Sequence, residues 1–237
     1  MTNKENLLEL AENVPKVYES GNKVGIDAGK KSEYDAFWDA YQQNGTRKDY
    51  TNGFGTCWAK ESFKPKYDLK VTNAYMMFRY MPITGDFVEL LNQLGVELDF
   101  SNATNIQYCF FGARMSRLGV IDIRKATSAT CDSFISSMPN LVTIDLIKVS
   151  ANNNCNWLAS CPSLENVTFE GEIAKNFNVQ WSTKLSKASI ESIINALSAD
   201  TSGLTVTLSQ TAVDNAFTAE EWDALEATKT NWTISLV

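Results

Sequence analysis

Three stretches of this chain, residues 110–123, 133–146 and 156–169, align without a gap at a step of 23 residues. Five columns repeat: Phe111/Phe134/Trp157, Met115/Met138/Cys161, Leu118/Leu141/Leu164, Ile121/Ile144/Val167 and Ile123/Leu146/Phe169. A fourth, degenerate copy precedes them, because Leu98 and Phe100 stand one step before Ile121 and Ile123. A fixed period of this size is the mark of stacked units, each of which hides its apolar face only against its neighbours. No other feature of the sequence restricts the fold as much.

The chemistry within one unit accounts for the spacing. Ile144 and Leu146 are two apart, which predicts a short strand with both side chains on one face. Phe134 and Met138 are four apart, which predicts one helical turn carrying an aromatic ring and a thioether on one side. Each unit is expected to be a short strand plus a helical turn joined by polar coil.

The pattern Phe-x-x-x-Met/Cys-x-x-Leu-x-x-Ile-x-Ile, over roughly residues 87–171, resembles the BspA-type leucine-rich repeat of bacterial surface proteins and bacteriophage-borne proteins. Cys161 falls where that family commonly has cysteine, with Met115 and Met138 in its place in the other copies. The segment Tyr34-Asp-Ala-Phe-Trp-Asp-Ala-Tyr-Gln-Gln-Asn-Gly45 is similar to a leader found before such repeats in gut-bacterial and phage proteins. The resemblance implies a right-handed α/β leucine-rich-repeat solenoid, with short parallel strands, helical turns, and helical caps at the N-terminal and C-terminal ends. Residues 1–75 are then a helical and aromatic cap region, and residues 76–237 the repeats with their C-terminal cap.

Composition narrows the function. The 237 residues carry a net charge of -7 with a pI near 4.8, which argues against nucleic acid or an anionic membrane as partner. No stretch approaches the ~20 apolar residues of a membrane span, and the N-terminus lacks the basic start and apolar core of a signal peptide. Histidine is absent altogether. That removes every Ser/His or Cys/His nucleophile pair and the commonest metal ligand. The five cysteines include no Cys-x-x-Cys pair and read as small buried residues, with an incidental Cys131–Cys155 bridge as the other reading.

Along the chain, Leu7, Leu10, Val14 and Val17 predict a helix over residues 4–18. It reads either as a homo-oligomerising or docking helix or as one packed on its own repeats. Tyr34, Phe37, Trp38 and Tyr41 form an aromatic stripe on a second helix that ends at Asn44-Gly45, expected as a lid on the first repeat. Residues 46–75 read as an aromatic-rich packed coil. Phe87 to Leu94 predicts a helix, and residues 96–100 the first repeat strand. Beyond Gly171, Ser186 caps a helix with Ile190, Ile193, Ile194 and Leu197 on one face, and Leu204, Val206 and Leu208 alternate as a strand. Thr218 and Glu221 form a capping box, Phe217 and Trp222 a hydrophobic staple, and Trp232, Ile234 and Leu236 a last strand.

Candidate binding residues follow from stacking the outward strand positions. One column reads Glu97, Val120, Thr143, Asn166, and the next Asp99, Asp122, Asp145, Thr168. Three carboxylates at the ~4.8 Å strand spacing repel one another. They read as a patch for a basic partner or cation, or as a solvated face relieved by Arg124, Lys125 and Lys148, and the second reading is preferred. No spacing resembles a calcium loop. The polar coils 101–105, 126–130 and 150–154, with Tyr108 nearby, suit hydrogen bonding to a glycan or protein, although Ser, Thr and Asn also serve turns. A glycoside hydrolase needs only paired carboxylates, but a repeat ladder offers no cleft for them. No metal, cofactor or catalytic set is expected.

The expected function is therefore a non-enzymatic binding or structural module. The resemblance favours a phage virion, tail-associated protein that recognises a host surface through protein or cell-surface glycan, without its own export signal. A bacterial adhesin-like surface protein and a cytoplasmic protein-interaction module are the alternatives.

Overall fold

The computed structural model describes residues 69–237 apart from 72–73, 76, 81–83, 95–97, 128–130 and 154–157. The helix over 4–18 with its oligomer reading, the Tyr34–Tyr41 stripe, the coil up to residue 68, Glu97, Trp157 and Cys155 lie outside them. Within them the protein is a mixed α/β structure of short parallel strands and few helices. In order these are β1 (Leu69–Lys70), β2 (Gly85–Asp86), α1 (Phe87–Leu94), β3 (Leu98–Asp99), β4 (Met115–Asp122), β5 (Ile135–Ser136), β6 (Thr143–Val149), β7 (Leu158–Ala159) and β8 (Asn166–Gly171). There follow β9 (Phe177–Asn178), α2 (Lys187–Ala196), β10 (Leu204–Leu208), α3 (Gln210–Ala216), α4 (Ala219–Glu226), a 3-10 turn (Ala227–Lys229) and β11 (Trp232–Leu236).

Every strand pairing among the described residues is parallel. The main sheet runs β2-β4-β6-β8, a second runs β5-β7, a third β9-β10-β11, and β1 pairs with β3. Between β4 and β8 the chain thus alternates between two sheets, adding one strand to each on every pass. β1 lies inside the stretch expected to be coil, and its bond to β3 ties that stretch to the repeats.

The register corrects the constant step. β4 pairs with β6 as Leu118↔Ile144 and Ile121↔Ile147, a step of 26 residues, whereas β6 pairs with β8 as Thr143↔Asn166 and Ile144↔Val167, the expected 23. Leu118 therefore faces Ile144 and not Leu141, and the turns between β4 and β6 absorb three extra residues. Within β6 the buried residues are Ile144, Ile147 and Val149, with Leu146 half-exposed, because a bulge opposite β8 breaks the two-residue alternation.

The expected helical turn at Phe134–Met138 is also absent. Its place is taken by the extended pair β5 and by residues with left-handed backbone, Ser133 at φ 51° and Ser137 at φ 57°. Equivalent turns hold Tyr80, Gly112 and Ser160 at φ 54°, 68° and 58°. The buried aromatic column consists of Phe78, Phe110 and Phe134, with ring centroids 5.1 and 5.6 Å apart, so Phe110 occupies the place expected for Phe111.

Helices flank the main sheet. α1 packs beside β4 and α2 beside β8. Against the exposed edge of β8, the α2 hydroxyls stand in for a strand: Val167 N–H donates to Ser189 Oγ (2.9 Å) and Phe169 N–H to Ser192 Oγ (2.8 Å). Ser189 Oγ in turn donates to Glu165 C=O (3.0 Å). Ser186 caps α2 as expected, and Ile190, Ile193, Ile194 and Leu197 are buried. The Thr218/Glu221 capping box and the Phe217–Trp222 ring contact at 5.6 Å both form at the start of α4.

Candidate functional site

The shifted register parts Asp122 from Asp145 in the expected acidic ladder. Asp122 stands opposite Lys148 on β6, while Asp145 lies three residues short of that position. Asp145 is held by Arg117, with Nε–Oδ1 2.9 Å and Nη2–Oδ2 2.8 Å, and Arg117 Nη1 also reaches Asp86 Oδ2 at 3.0 Å. The guanidinium thus spans β2, β4 and β6 on their outer face, and the two carboxylates raise its pKa further above the usual arginine value. Asp99, at the end of β3, accepts from Ser101 N–H at 2.8 Å in a local turn.

Asp122 repeats that turn one step on, accepting from Arg124 N–H (3.1 Å) and from its guanidinium (Nη2–Oδ2 2.6 Å). Partial burial pushes the Asp122 carboxyl up, but its bonds to Arg124 and the nearby Lys148 charge outweigh this and leave it below the usual range. Asp122 and Asp145 are therefore not stacked, and each of the three carboxylates is engaged at its own turn or with its own arginine.

Thr143 and Asn166 do sit side by side, in a row Arg117–Thr143–Asn166 across three strands. Asn166 Oδ1 accepts from Ser186 Oγ at 3.2 Å, which commits it to the α2 cap, and Thr168 is exposed on β8. The polar coils are likewise used internally. Buried Asn153 donates to Ile123 C=O (2.9 Å) and Ala126 C=O (2.7 Å) and accepts from Ser150 N–H (2.7 Å), clamping two neighbouring turns. Ser150 Oγ adds a bond to Arg124 C=O at 3.0 Å. Cys109 and Cys161 are buried thiols, and burial pushes the Cys161 pKa up to about 12, far from a reactive thiolate.

Of the expected residues, Tyr108 is the one drawn into an outward-facing cluster. Its backbone is left-handed (φ 55°), which turns the ring out of the core. The ring meets Tyr75 (6.5 Å) and Phe111 (5.6 Å) edge-on, and Phe111 meets Tyr80 (5.6 Å). The Arg79 guanidinium lies 4.8 Å from the Tyr80 ring centroid and 5.5 Å from those of Tyr108 and Phe111. Tyr80 is 51% exposed and Tyr75 39%. Three aromatic rings around one cation, with Tyr75 set against Tyr108, make a surface corner that combines flat apolar area with a positive charge.

Sequence reasoning missed this grouping, because Tyr75, Arg79 and Tyr80 lie in and just after a stretch expected to be coil. It also missed Trp181, 58% exposed, which borders a shallow depression with Ser137, Pro139, Ser160 and Pro162. A signal for the latter existed in the repeated tripeptides Ser137-Met-Pro139 and Ser160-Cys-Pro162. Among the described residues no group of three or more His, Cys, Asp or Glu side chains is placed to hold a metal ion, and no helix is long and apolar enough to cross a membrane. No protein-family model, curated protein or solved structure matches the chain.

Proposed function

We propose that this protein is a non-enzymatic binding module built as a right-handed leucine-rich-repeat solenoid, carried on a phage virion as a tail-associated protein that recognises a host surface. The return of the chain to the same parallel sheets on successive passes supports the repeat architecture, as do the recurring left-handed turns. The resemblance of its repeats to those of bacterial surface and phage-borne proteins supports the setting, and that step is analogy.

The observation that carries the binding role is the exposed corner of Tyr75, Arg79, Tyr80, Tyr108 and Phe111. Exposed aromatics beside an arginine are the residue types that dominate binding energy at interfaces. Their rings have few torsions to immobilise, so little entropy is lost on contact.

Two measurements test this. Purified protein is titrated onto intact host cells, with Tyr75→Ala expected to weaken binding about tenfold; undiminished binding removes the corner from the site. Mass spectrometry of purified virions is expected to find the chain, and its absence there overturns the virion setting.

A further inference from the structure

The aromatic corner and Trp181 are not separate features. We propose that they are the two ends of one extended site for a neutral oligosaccharide, running across successive turns of the chain. This inference rests on the binding-module reading and specifies its ligand.

Continuity comes from the backbone. Tyr80 N–H donates to Phe111 C=O (2.8 Å), Gly112 N–H to Ser136 C=O (2.9 Å) and Ser137 N–H to Ala159 C=O (3.0 Å). These bonds place the four left-handed residues Tyr80, Gly112, Ser137 and Ser160 in one row, at the same corner of consecutive turns. The next turn joins through Ser182, whose Oγ donates to Cys161 C=O at 3.1 Å, and it presents Trp181 beside Ser137 and Ser160. At the ~4.8 Å spacing of parallel neighbours, the row spans about 19 Å from Tyr80 to Trp181.

Along this row the height of the surface is set by residue size. The Tyr80 ring lies over Gly112, where any added Cβ would meet it at 2.4 Å. Beyond it come two serines flanked by exposed Pro139 and Pro162, forming a depression of about 490 Å³ that Trp181 closes at its far end. A low floor carrying the Ser137 and Ser160 hydroxyls thus lies between Tyr80, seated over Gly112, and Trp181.

The chemistry selects the occupant. None of the side chains around the depression is charged, Arg79 at the corner is a single cation, and the protein as a whole carries -7, so an extended polyanion is not neutralised along the row. A peptide adding as a strand needs free main-chain donors. The N–H groups of Tyr80, Gly112 and Ser137 already donate within the fold. A neutral sugar chain matches what remains: apolar ring faces for Tyr80 and Trp181, and hydroxyls for the serines.

The test uses the full chain and β-linked glucose and N-acetylglucosamine oligomers, from disaccharide to hexasaccharide, followed by calorimetry and tryptophan fluorescence. Affinity is expected to rise with length until the oligomer spans the row. Trp181→Ala, at an exposed position, should weaken binding about tenfold. Ser160→Gly keeps the left-handed turn unstrained and removes the hydroxyl with its single Cβ, so about three- to tenfold loss is expected. Failure of every neutral oligomer to bind, binding that ignores both substitutions, or retention of proline-rich peptides alone would overturn the inference. If Tyr75→Ala still weakens cell binding about tenfold in those cases, the binding-module reading survives and only this ligand assignment falls.

Discussion

Single residues fix the places where neighbouring turns touch. Gly171 ends β8 at φ 104°, and a Cβ there would lie 2.1 Å from the Val149 carbonyl oxygen. Neither the torsion nor the contact tolerates a side chain. Gly171→Ala is therefore expected to destabilise by at least about 1–3 kcal/mol, measured by urea unfolding. Gly203→Ala is the control, since φ 71° strains it but its surroundings are open; equal costs would show that the contact with Val149 does not matter.

Asp122 gives a second test at this scale. Its carboxyl is held below the usual range, so it stabilises the fold above the unfolded value of about 3.9. That contribution disappears as pH falls through the lower folded value. Asp122→Asn should thus flatten the acid side of the stability profile while lowering stability at neutral pH. A parallel downward shift at every pH would rule out the titration. The carboxylate types were legible in the sequence, but their partners were not, because a three-residue change of register decides which strand position faces which.

At the scale of elements, local chemical signals proved readable and long-range ones did not. Ser186, the Thr218/Glu221 box and the Phe217–Trp222 staple all formed, since a cap involves residues only three to five apart. α3 went unread because it has only seven residues, Gln210–Ala216, and buries just Ala212 and Val213. The helical turn expected at Phe134–Met138 failed for a different reason. Parallel pairing of β5 with β7 outweighs a single turn of helix, whose nucleation is unfavourable in isolation.

The seal of β8 by α2 likewise has no sequence pattern of its own, although it settles how the main sheet ends. Ser189→Ala would strand the Val167 N–H, in a position where Ser189 is 3% exposed, while the Glu165 C=O would keep its bond from Ser186 N–H. A loss of about 1–3 kcal/mol is expected. Ser192→Ala, which strands only the half-buried Phe169 N–H, should cost less. Equal effects would mean that burial does not govern the seal.

Across the whole molecule, stability should grade from the middle of the main sheet outward. β6 lies between β4 and β8, and β4 pairs with β6 along most of its length, with β2 covering its start at Met115 and Arg117. β6 also contributes Ile144 and Ile147 to the core, paired with Leu118 and Ile121 of β4 and, for Ile144, with Val167 of β8. β1 has one described partner, β3, in a pairing of two residues, and β9 has one partner, β10, over two residues. In a stack where each layer is held by its neighbours, opening from an end disrupts one interface, whereas opening in the middle disrupts two. Native-state hydrogen exchange should therefore find the slowest amides in β4 and β6, at Leu118, Val120, Ile144 and Leu146. β1 and β9 should exchange through local openings well below the global unfolding free energy. Val120 makes the test sharp, because its side chain is 58% exposed while its backbone pairs with Leu146 of β6. Slow exchange there identifies interstrand pairing as the protecting factor. Exchange at Val120 as fast as in β9, or protection uniform along the chain, would mean that the molecule opens as a single unit and not layer by layer.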